Sequence, residues 1–416
     1  MHEERIVAIV VVEPVSSGTA LIAAAQRLGH PVHVFCADTR IVPPTHLRTV
    51  ASLTSVDTGS ADDVAAAVRT VGGIDALVPG FEYAVDVVAQ TAAQLGLPHL
   101  APEAAALTRD KYRSRQRLSM AGLAVPRFAP IAKRGDVARA AAHVGFPAVV
   151  KPVDGCGSLL VRRVDSLAQL HATIDSVAHR SVPDMGREVG QAMMLEQYLD
   201  GPEYSVEGYV GPLGPRMLAI TEKILGPEPY FVEMGHVVDA TLDDRDRARL
   251  SAYVETVARE IGLTLGVFHA EVRMTRDGPT LIEIAARLGG DRIYRLVELA
   301  KSISLPEVML RSYLGEWDPA PGYRHGRSTR VSGVRFLAPE AAGPFVGVSG
   351  LDNVRAQPGF QEAEIYPRIG DWVSPPTDFR GRVGHVLFTA PDRPTLERRL
   401  NDAQCALEMG LTCKVH

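Results

Sequence analysis

Leu265-Gly266-Val267-Phe268-His269-Ala270-Glu271-Val272-Arg273-Met274, then a turn at Arg276-Asp277-Gly278-Pro279, then Thr280-Leu281-Ile282-Glu283-Ile284-Ala285-Ala286-Arg287-Leu288-Gly289-Gly290-Asp291, is the segment around which the rest of the chain is organised. Two apolar runs flank a Gly-Pro turn, so they predict a β-hairpin or two adjacent strands. In the first run His269, Glu271 and Arg273 alternate with Phe268, Ala270 and Val272, which puts the polar groups on one face. In the second, Glu283 interrupts Leu-Ile-Glu-Ile-Ala-Ala. Two carboxylates on paired strands can converge on one point, where they repel unless a cation or proton neutralises them. Hard divalent ions, Mg²⁺ above all, take such oxygen ligands and commonly bind phosphate as well. Two solvent-facing acids on an edge hairpin are the competing account, and the hairpin alone does not choose.

With 416 residues the chain is long enough for two or three domains. A formal net charge of −5 leaves no basic surface for nucleic acid, and the Arg113 to Arg117 cluster reads as a solvated helix face. The four cysteines, Cys36, Cys156, Cys405 and Cys413, form neither a CxxC pair nor a zinc spacing, which fits a reducing cytoplasm. Ile6 to Val12 is too short to span a membrane and is flanked by glutamates, unlike a secretory signal. It reads as a buried parallel strand.

Upstream, residues 1 to 107 alternate strand and helix signals: Ile6 to Val12, Thr19 to Leu28, Val32 to Cys36, a helix to Val71, Ile74 to Val78, and a helix to Leu95. This order predicts a small, open, parallel sheet whose ligands sit at the carboxyl ends of its strands. Ser16, Ser17 and Glu82 fall at those ends, and no GxGxxG follows the first strand. From Thr108-Arg109-Asp110-Lys111 a basic helix runs to Met120, and Val149-Val150-Lys151-Pro152 closes an apolar strand before Gly155-Cys156-Gly157-Ser158. A glycine-rich turn beside a strand lysine can cradle phosphate, through bare N–H groups and a point charge. It is not a P-loop, because no Gly-Lys-Ser/Thr follows.

Met193 to Leu199 reads as a strand carrying Glu196, and a turn at Asp200-Gly201-Pro202 leads to Glu203 and Glu207. Tyr230 to His236 reads as a loop with Glu233 and His236 three apart, followed by a long amphipathic helix from Asp243 to Ile261. Residues 314 to 416 read as a β-rich tail ending in a helix, from which Arg330, Arg335, Arg368 and His385 could reach back to a site, although solvated strand faces account better for most of them.

In this order and at these spacings the pieces resemble the ATP-grasp superfamily over nearly the full length. The matches are Val149-Val150-Lys151-Pro152 with its glycine-rich turn, Glu196-Gln197-Tyr198-Leu199 with Gly201 and Glu203, and Glu271 and Glu283 with Arg287. Within the superfamily, Phe231-Val232-Glu233-Met234-Gly235-His236 and Glu283-Ile284-Ala285-Ala286-Arg287 look most like the dipeptide-forming L-amino-acid ligases and other carboxylate–amine ligases. The resemblance implies an α/β (α+β grasp) fold. An open parallel-sheet domain spans residues 1–107, an ATP-grasp domain 108–310 with a mobile lid at about 126–200, and a β-rich carboxyl-terminal part 311–416.

It also implies roles. Lys111 and Lys151 would contact ATP phosphates, with Gly155, Gly157 and Ser158 closing over them. Glu196 and the Leu199 N–H would meet adenine, and Glu203 the ribose. Glu271 and Glu283 would carry Mg²⁺, or Mn²⁺ in its place. Arg287 would bind the transferred phosphate and the substrate carboxylate, and Glu82, Glu233, His236 and Gly289 would face the substrates. Many superfamily members place Asn two residues after the second metal carboxylate, where this chain has Ala285. Gly289-Gly290-Asp291 offers no bulky aromatic after Arg287, so a roomier or more polar pocket is expected. The implied partners are small molecules, an amino acid or similar carboxylic acid plus an amine, with neither nucleic acid nor membrane, and a homodimer. The alternatives are a purine-pathway or carboxylase-type ATP-grasp ligase, a phosphotransferase, and a non-catalytic nucleotide-binding module. His269 is given no role.

Overall fold

The computed structural model describes residues 7–178, 182–184, 187–189, 192–316 and 330–411. Ile6 and Cys413 lie outside the described residues, as do parts of the expected lid. The chain opens with four parallel strands, β1 (Ala8–Val12), β2 (Val32–Cys36), β3 (Ser52–Ser55) and β4 (Ile74–Pro79), ordered β3-β2-β1-β4. Ile9, Val10, Val11 and Val12 are fully buried, because both faces of the sheet are covered. One face has its own core around Val64, Leu77 and Val88. The other shares a core with the helices Ile293–Lys301 and Leu305–Tyr313, and through them reaches Leu218, Val334 and Leu387 of the largest sheet.

A second sheet, order β5-β10-β6-β7, joins β5 (Phe128–Ile131), β6 (Ala148–Pro152), β7 (Arg162–Val164) and β10 (Met193–Gln197). The short hairpin β8 (Val182–Asp184) and β9 (Arg187–Val189) precedes β10. The third sheet has eight strands: β11 (Glu203–Gly211), β12 (Gly214–Leu225), β13 (Glu233–Val238), β14 (Val267–Thr275), β15 (Gly278–Ala285), β16 (Val331–Leu337), β18 (Phe360–Ile365) and β20 (Gly384–Ala390). Their order is β15-β14-β11-β12-β13-β16-β20-β18, so the tail extends the same sheet that carries the hairpin. A small sheet of β17 (Gly343–Ser349), β19 (Trp372–Val373) and β21 (Glu408–Leu411) completes the fold.

Two expectations are corrected here. Tyr230 to His236 is not all loop: from Glu233 onward it is β13, hydrogen-bonded between β12 and β16. Its alternation is hidden because the register slips between Ile224 and Leu225, which leaves Met234 as the extra residue of a β-bulge. The bulge brings Glu233 and His236, three apart, to one face. The helix Lys111–Met120 is not simply solvated either. Lys111, Ser114, Arg115 and Leu118 are its buried residues, an i, i+3, i+4, i+7 stripe, and Arg115 is 0% exposed. Arg113 and Arg117 do face outward, paired with Glu103 and Glu260.

Candidate active site

The strand register builds the site. Glu271 on β14 stands directly opposite Glu283 on β15, and the bulge that follows sets Ile282 outside the pairing. On the other side of β14, Ser205 of β11 is opposite Glu271 and Glu207 is opposite His269. In the second sheet Lys151 pairs with Met194, so Glu196 is its diagonal neighbour on the same face. The second and third sheets enclose a cavity of about 310 Å³. Its wall includes Lys111, Lys151, Gly155, Glu196, Leu199, Glu203, Lys223, Glu233, Glu271, Glu283, Arg287 and Asp291. Ser16, Ser17 and Gly18 reach it from the end of β1, and Phe379 from the tail. Ser16, Ser158, Phe231 and Asp291, all lining it, are non-glycine residues held at positive φ. Backbone held in this sparsely populated region tends to mark functional sites.

The charges are packed in compensated groups. Lys151 Nζ lies 2.5 Å from Glu196 Oε2, and Arg115 Nε 2.8 Å from Glu196 Oε1. Burial would raise the Glu196 carboxyl, but Arg115 and Lys151 bring it below the usual range. Burial pushes the Lys151 ammonium down, with Glu196 opposing. Both oxygens of Glu196, the residue expected to meet adenine, are therefore engaged by protein cations. Glu203 is likewise paired, with Lys223 at 2.9 Å and Arg273 at 3.1 Å, and Arg273 also donates to the Leu199 carbonyl at 2.5 Å.

Lys223 is the hub of the acidic side. Its Nζ meets Glu203 at 2.9 Å, Glu233 at 2.5 Å and Glu271 at 2.8 Å. Burial disfavours its charge, but these carboxylates outweigh it and raise the ammonium well above its ordinary range. Glu271 shows the reciprocal effect: burial raises it, and Lys223 and His269 hold it well below the usual carboxylate range. For Glu233 burial wins, with Asp291 and Glu271 adding repulsion against the pull of Lys223, and its carboxyl is pushed up to about 7. His269 is raised to about 10, because Glu207 and Glu271 overcome its burial.

The amino-terminal domain supplies the anchor for Arg287. Glu82 is 0% exposed and receives hydrogen bonds from Arg287 Nε and Arg109 Nη1. Burial alone would raise its carboxyl; the two guanidiniums hold it at about 2. Glu82, expected to contact substrate, is thus behind Arg287 and is not among the residues lining the cavity. His236 and Gly289 are also one layer back. His236 Nε2 lies 3.2 Å from Asp291 and 3.7 Å from Glu233. Gly289 O accepts from Ser17 Oγ at 2.6 Å.

The lysine and the glycine-rich turn come together. Lys111 Nζ donates to the Gly155 carbonyl at 2.5 Å and lies 3.1 Å from Glu283 Oε2. Ser158 Oγ donates to the Phe231 carbonyl at 3.2 Å, and Tyr83 Oη to Asp184 at 2.5 Å. Gly157 (φ 62°) packs so closely on Phe379 that a Cβ there would fall 2.5 Å from the ring. Cys156 carries no activated thiol: burial and Glu82 push it up to about 12.

The tail reaches the site through a residue the sequence did not single out. Arg382 grips Asp291 through two 2.6 Å contacts, donates to the Glu233 carbonyl at 3.2 Å, and stacks 3.8 Å over the Phe336 ring. Two of the tail residues that could have reached back do other things. His385 bonds Tyr366 and Glu362, and Arg335 bonds Gln404. Lys223, Arg382 and Phe379 were missed as site residues, and Asp291 was read only as part of a polar pocket wall. Only Arg273, in phase with His269 and Glu271, carried a local signal.

The carboxylates suit a hard divalent ion. The donors to Glu271, Lys223 and His269, both meet Oε1, and Lys111 meets Oε2 of Glu283. One oxygen of each acid is left outside these contacts, a fitting donor set for Mg²⁺. Among the described residues Glu203, Glu233 and Glu271 also group around the Lys223 ammonium. No helix among the described residues is long and apolar enough to cross a membrane.

Comparison with known proteins gives two domain matches: the ATP-grasp domain over residues 144–295 and the L-amino acid ligase C-terminal domain 2 over residues 335–411. A Sinorhizobium fredii protein designated y4rH is 27% identical over 95% of this chain and 81% of its own length. Carnosine synthase 1 of Gallus gallus is 30% identical over 70% of this chain, which spans 33% of that longer protein. Among solved structures, the L-amino acid ligase from Bacillus licheniformis superposes with a TM-score of 0.84 at 23% identity, covering 99% of this chain and all of that one. Phosphoribosylglycinamide synthetase from Anaerococcus prevotii follows the same fold at a TM-score of 0.75 and 14% identity, over 98% of this chain and 100% of that one. A biotin carboxylase domain from Hydrogenobacter thermophilus, of the same fold at a TM-score of 0.73 and 17% identity, was solved in complex with a magnesium ADP salt. The chain carries an ATP-grasp domain and the carboxyl-terminal domain of L-amino-acid ligases.

Proposed function

We propose that this protein is an ADP-forming carboxylate–amine ligase that joins an amino acid, or a similar carboxylic acid, to an amine or second amino acid. The observation that carries the reading is the convergence on one cavity of Lys111, Lys151 and Arg287 with the opposed acids Glu271 and Glu283. A carboxylate is a poor electrophile because oxide would have to leave. Attack of a carboxylate oxygen on the γ-phosphorus of ATP releases ADP and gives an acyl phosphate. Attack of the amine nitrogen on the acyl carbon then expels phosphate, and the nitrogen loses a proton as the amide forms.

Lys111 and Lys151 bind and orient the phosphates, and Arg287, braced by Glu82, meets the transferred phosphoryl group and the substrate carboxylate. Glu271 and Glu283 hold Mg²⁺, or Mn²⁺ in its place; the ion supplies charge neutralisation at the phosphate oxygens. Glu196, Leu199 and Glu203 form the nucleotide side of the cavity, and Gly155, Gly157 and Ser158 close it against water. Glu233, held at about 7 and 3.7 Å from His236, is matched to accepting the ammonium proton near neutral pH. We retain 1–107, 108–310 and 311–416 as the domain division, with a lid at about 126–200, and a homodimer working in the cytoplasm.

The test is a phosphate-release screen over amino-acid pairs with magnesium ATP, followed by mass identification of the product. Pair-dependent release of ADP and phosphate with an amide product is expected. Release that depends on bicarbonate or a nucleotide amine, a phosphorylated product with no amide, or no release at all each overturns the reading.

A further inference from the structure

His269 is a buried titratable residue at this site that the reaction above leaves unused. It stands on β14 two residues before Glu271, on the same face, and directly across from Glu207 on β11. Its Nδ1 lies 2.8 Å from Glu207 Oε1 and its Nε2 3.2 Å from Glu271 Oε1. Carboxylates only accept, so a ring between two of them donates from both nitrogens. Glu207 is 2% exposed and is itself held, because Ser205 Oγ donates to the same Oε1 at 2.9 Å. The ring has little freedom to leave. The Gly289 backbone lies over it so tightly that a Cβ there would be 2.8 Å from His269 Nδ1 and 3.0 Å from Glu207 Oε2. Ser17 Oγ ties that backbone down through the Gly289 carbonyl.

We propose that His269 is a positioning residue: the Ser205–Glu207–His269 chain locks the Glu271 carboxylate with Oε1 turned into the protein, so that Oε2 is presented to the divalent ion. This rests on the reading of Glu271 as a metal carboxylate. Lys223 meets the same Oε1 at 2.8 Å, so two donors from different strands define one orientation. A free carboxylate would rotate and would lose orientational entropy on binding an ion. Groups that orient metal ligands in this way are worth about 10- to 100-fold in metal affinity or activity.

The experiment measures Mn²⁺ binding to the full chain with ADP present, by electron paramagnetic resonance, alongside the thermal midpoint of each variant. His269→Gln places an amide nitrogen near the position of Nε2, and His269→Asn places one near Nδ1. Weakening of about 10-fold or more is expected for His269→Asn, and less for His269→Gln, which keeps the contact to Glu271. Glu207→Gln is expected to weaken binding as well, and to add little once His269 is Asn, because both act through one chain. If His269→Asn folds poorly, Glu207→Gln alone carries the test. Equal Mn²⁺ affinity in wild type, His269→Asn and Glu207→Gln overturns the proposal, as does an equal loss in both His269 variants that tracks thermal stability alone. Glu271→Gln separates the two levels. Unchanged affinity in that variant removes the metal reading itself. A large loss there with none at His269 removes only the positioning role.

Discussion

Glu82 tests whether the amino-terminal domain builds the site or merely adjoins it. Its carboxylate is fully buried between Arg287 and Arg109, and Lys111 adds a weaker pull. A carboxyl held at about 2 instead of 4.5 corresponds to roughly 3 kcal/mol of folded-state preference for the charged form, at about 1.4 kcal/mol per tenfold change in binding. Glu82→Gln removes that charge and leaves two guanidiniums buried without it. Breaking one side of such a buried cluster costs about 3–5 kcal/mol. Urea unfolding at pH 7 should therefore show a loss of about 3 kcal/mol or more, together with a raised KM for the carboxylate substrate as Arg287 loosens.

The pH dependence has a defined sign. The folded pKa is depressed, so the Glu82 contribution is complete above about 4.5 and is lost as pH falls through about 2. The stability difference between wild type and Glu82→Gln should be level from pH 7 to pH 5 and shrink below that. A difference under about 1 kcal/mol at pH 7, or one that grows on acidification, would refute the reasoning.

Two further outcomes follow from the same geometry. Glu283→Ala should abolish phosphate release with every substrate pair, and turnover like that of wild type would remove Glu283 from the metal site. Gly157→Ala should raise the KM for ATP several-fold, because the new Cβ falls 2.5 Å from the Phe379 ring at a φ of 62°. Phe379→Ala in the same chain should recover part of that loss by clearing the clash, and no recovery would mean that backbone strain alone is responsible.

Much of the fold was legible because it is written locally. The apolar run up to Val12 could only be a strand covered on both faces, and the alternation from Val267 to Arg273 announced a face that carries His269, Glu271 and Arg273. The long helix was marked by Asp243, whose side chain accepts from the Asp246 N–H, and by Gly262 at its end. The opposition of Glu271 and Glu283 was readable because a short turn fixes the register of a hairpin. The β13 strand was misread because a bulge breaks period two at Met234. Arg115 was misread because its charge and that of its neighbours masked a buried stripe.

Most strands and helices, the placing of acids and bases along them, and the chemistry they resemble could be read from the residues alone. The sequence could not determine who pairs with whom, because ion pairs depend on distances between segments far apart in the chain. Arg287 reaches back 205 residues to Glu82, and Arg382 meets Asp291 across 91. Those partners decide which carboxylates stay charged, which one is pushed up to about 7, and which oxygens remain for an ion. That is a property of low-dielectric burial and of the stacking of three sheets, set only when the tertiary structure closes.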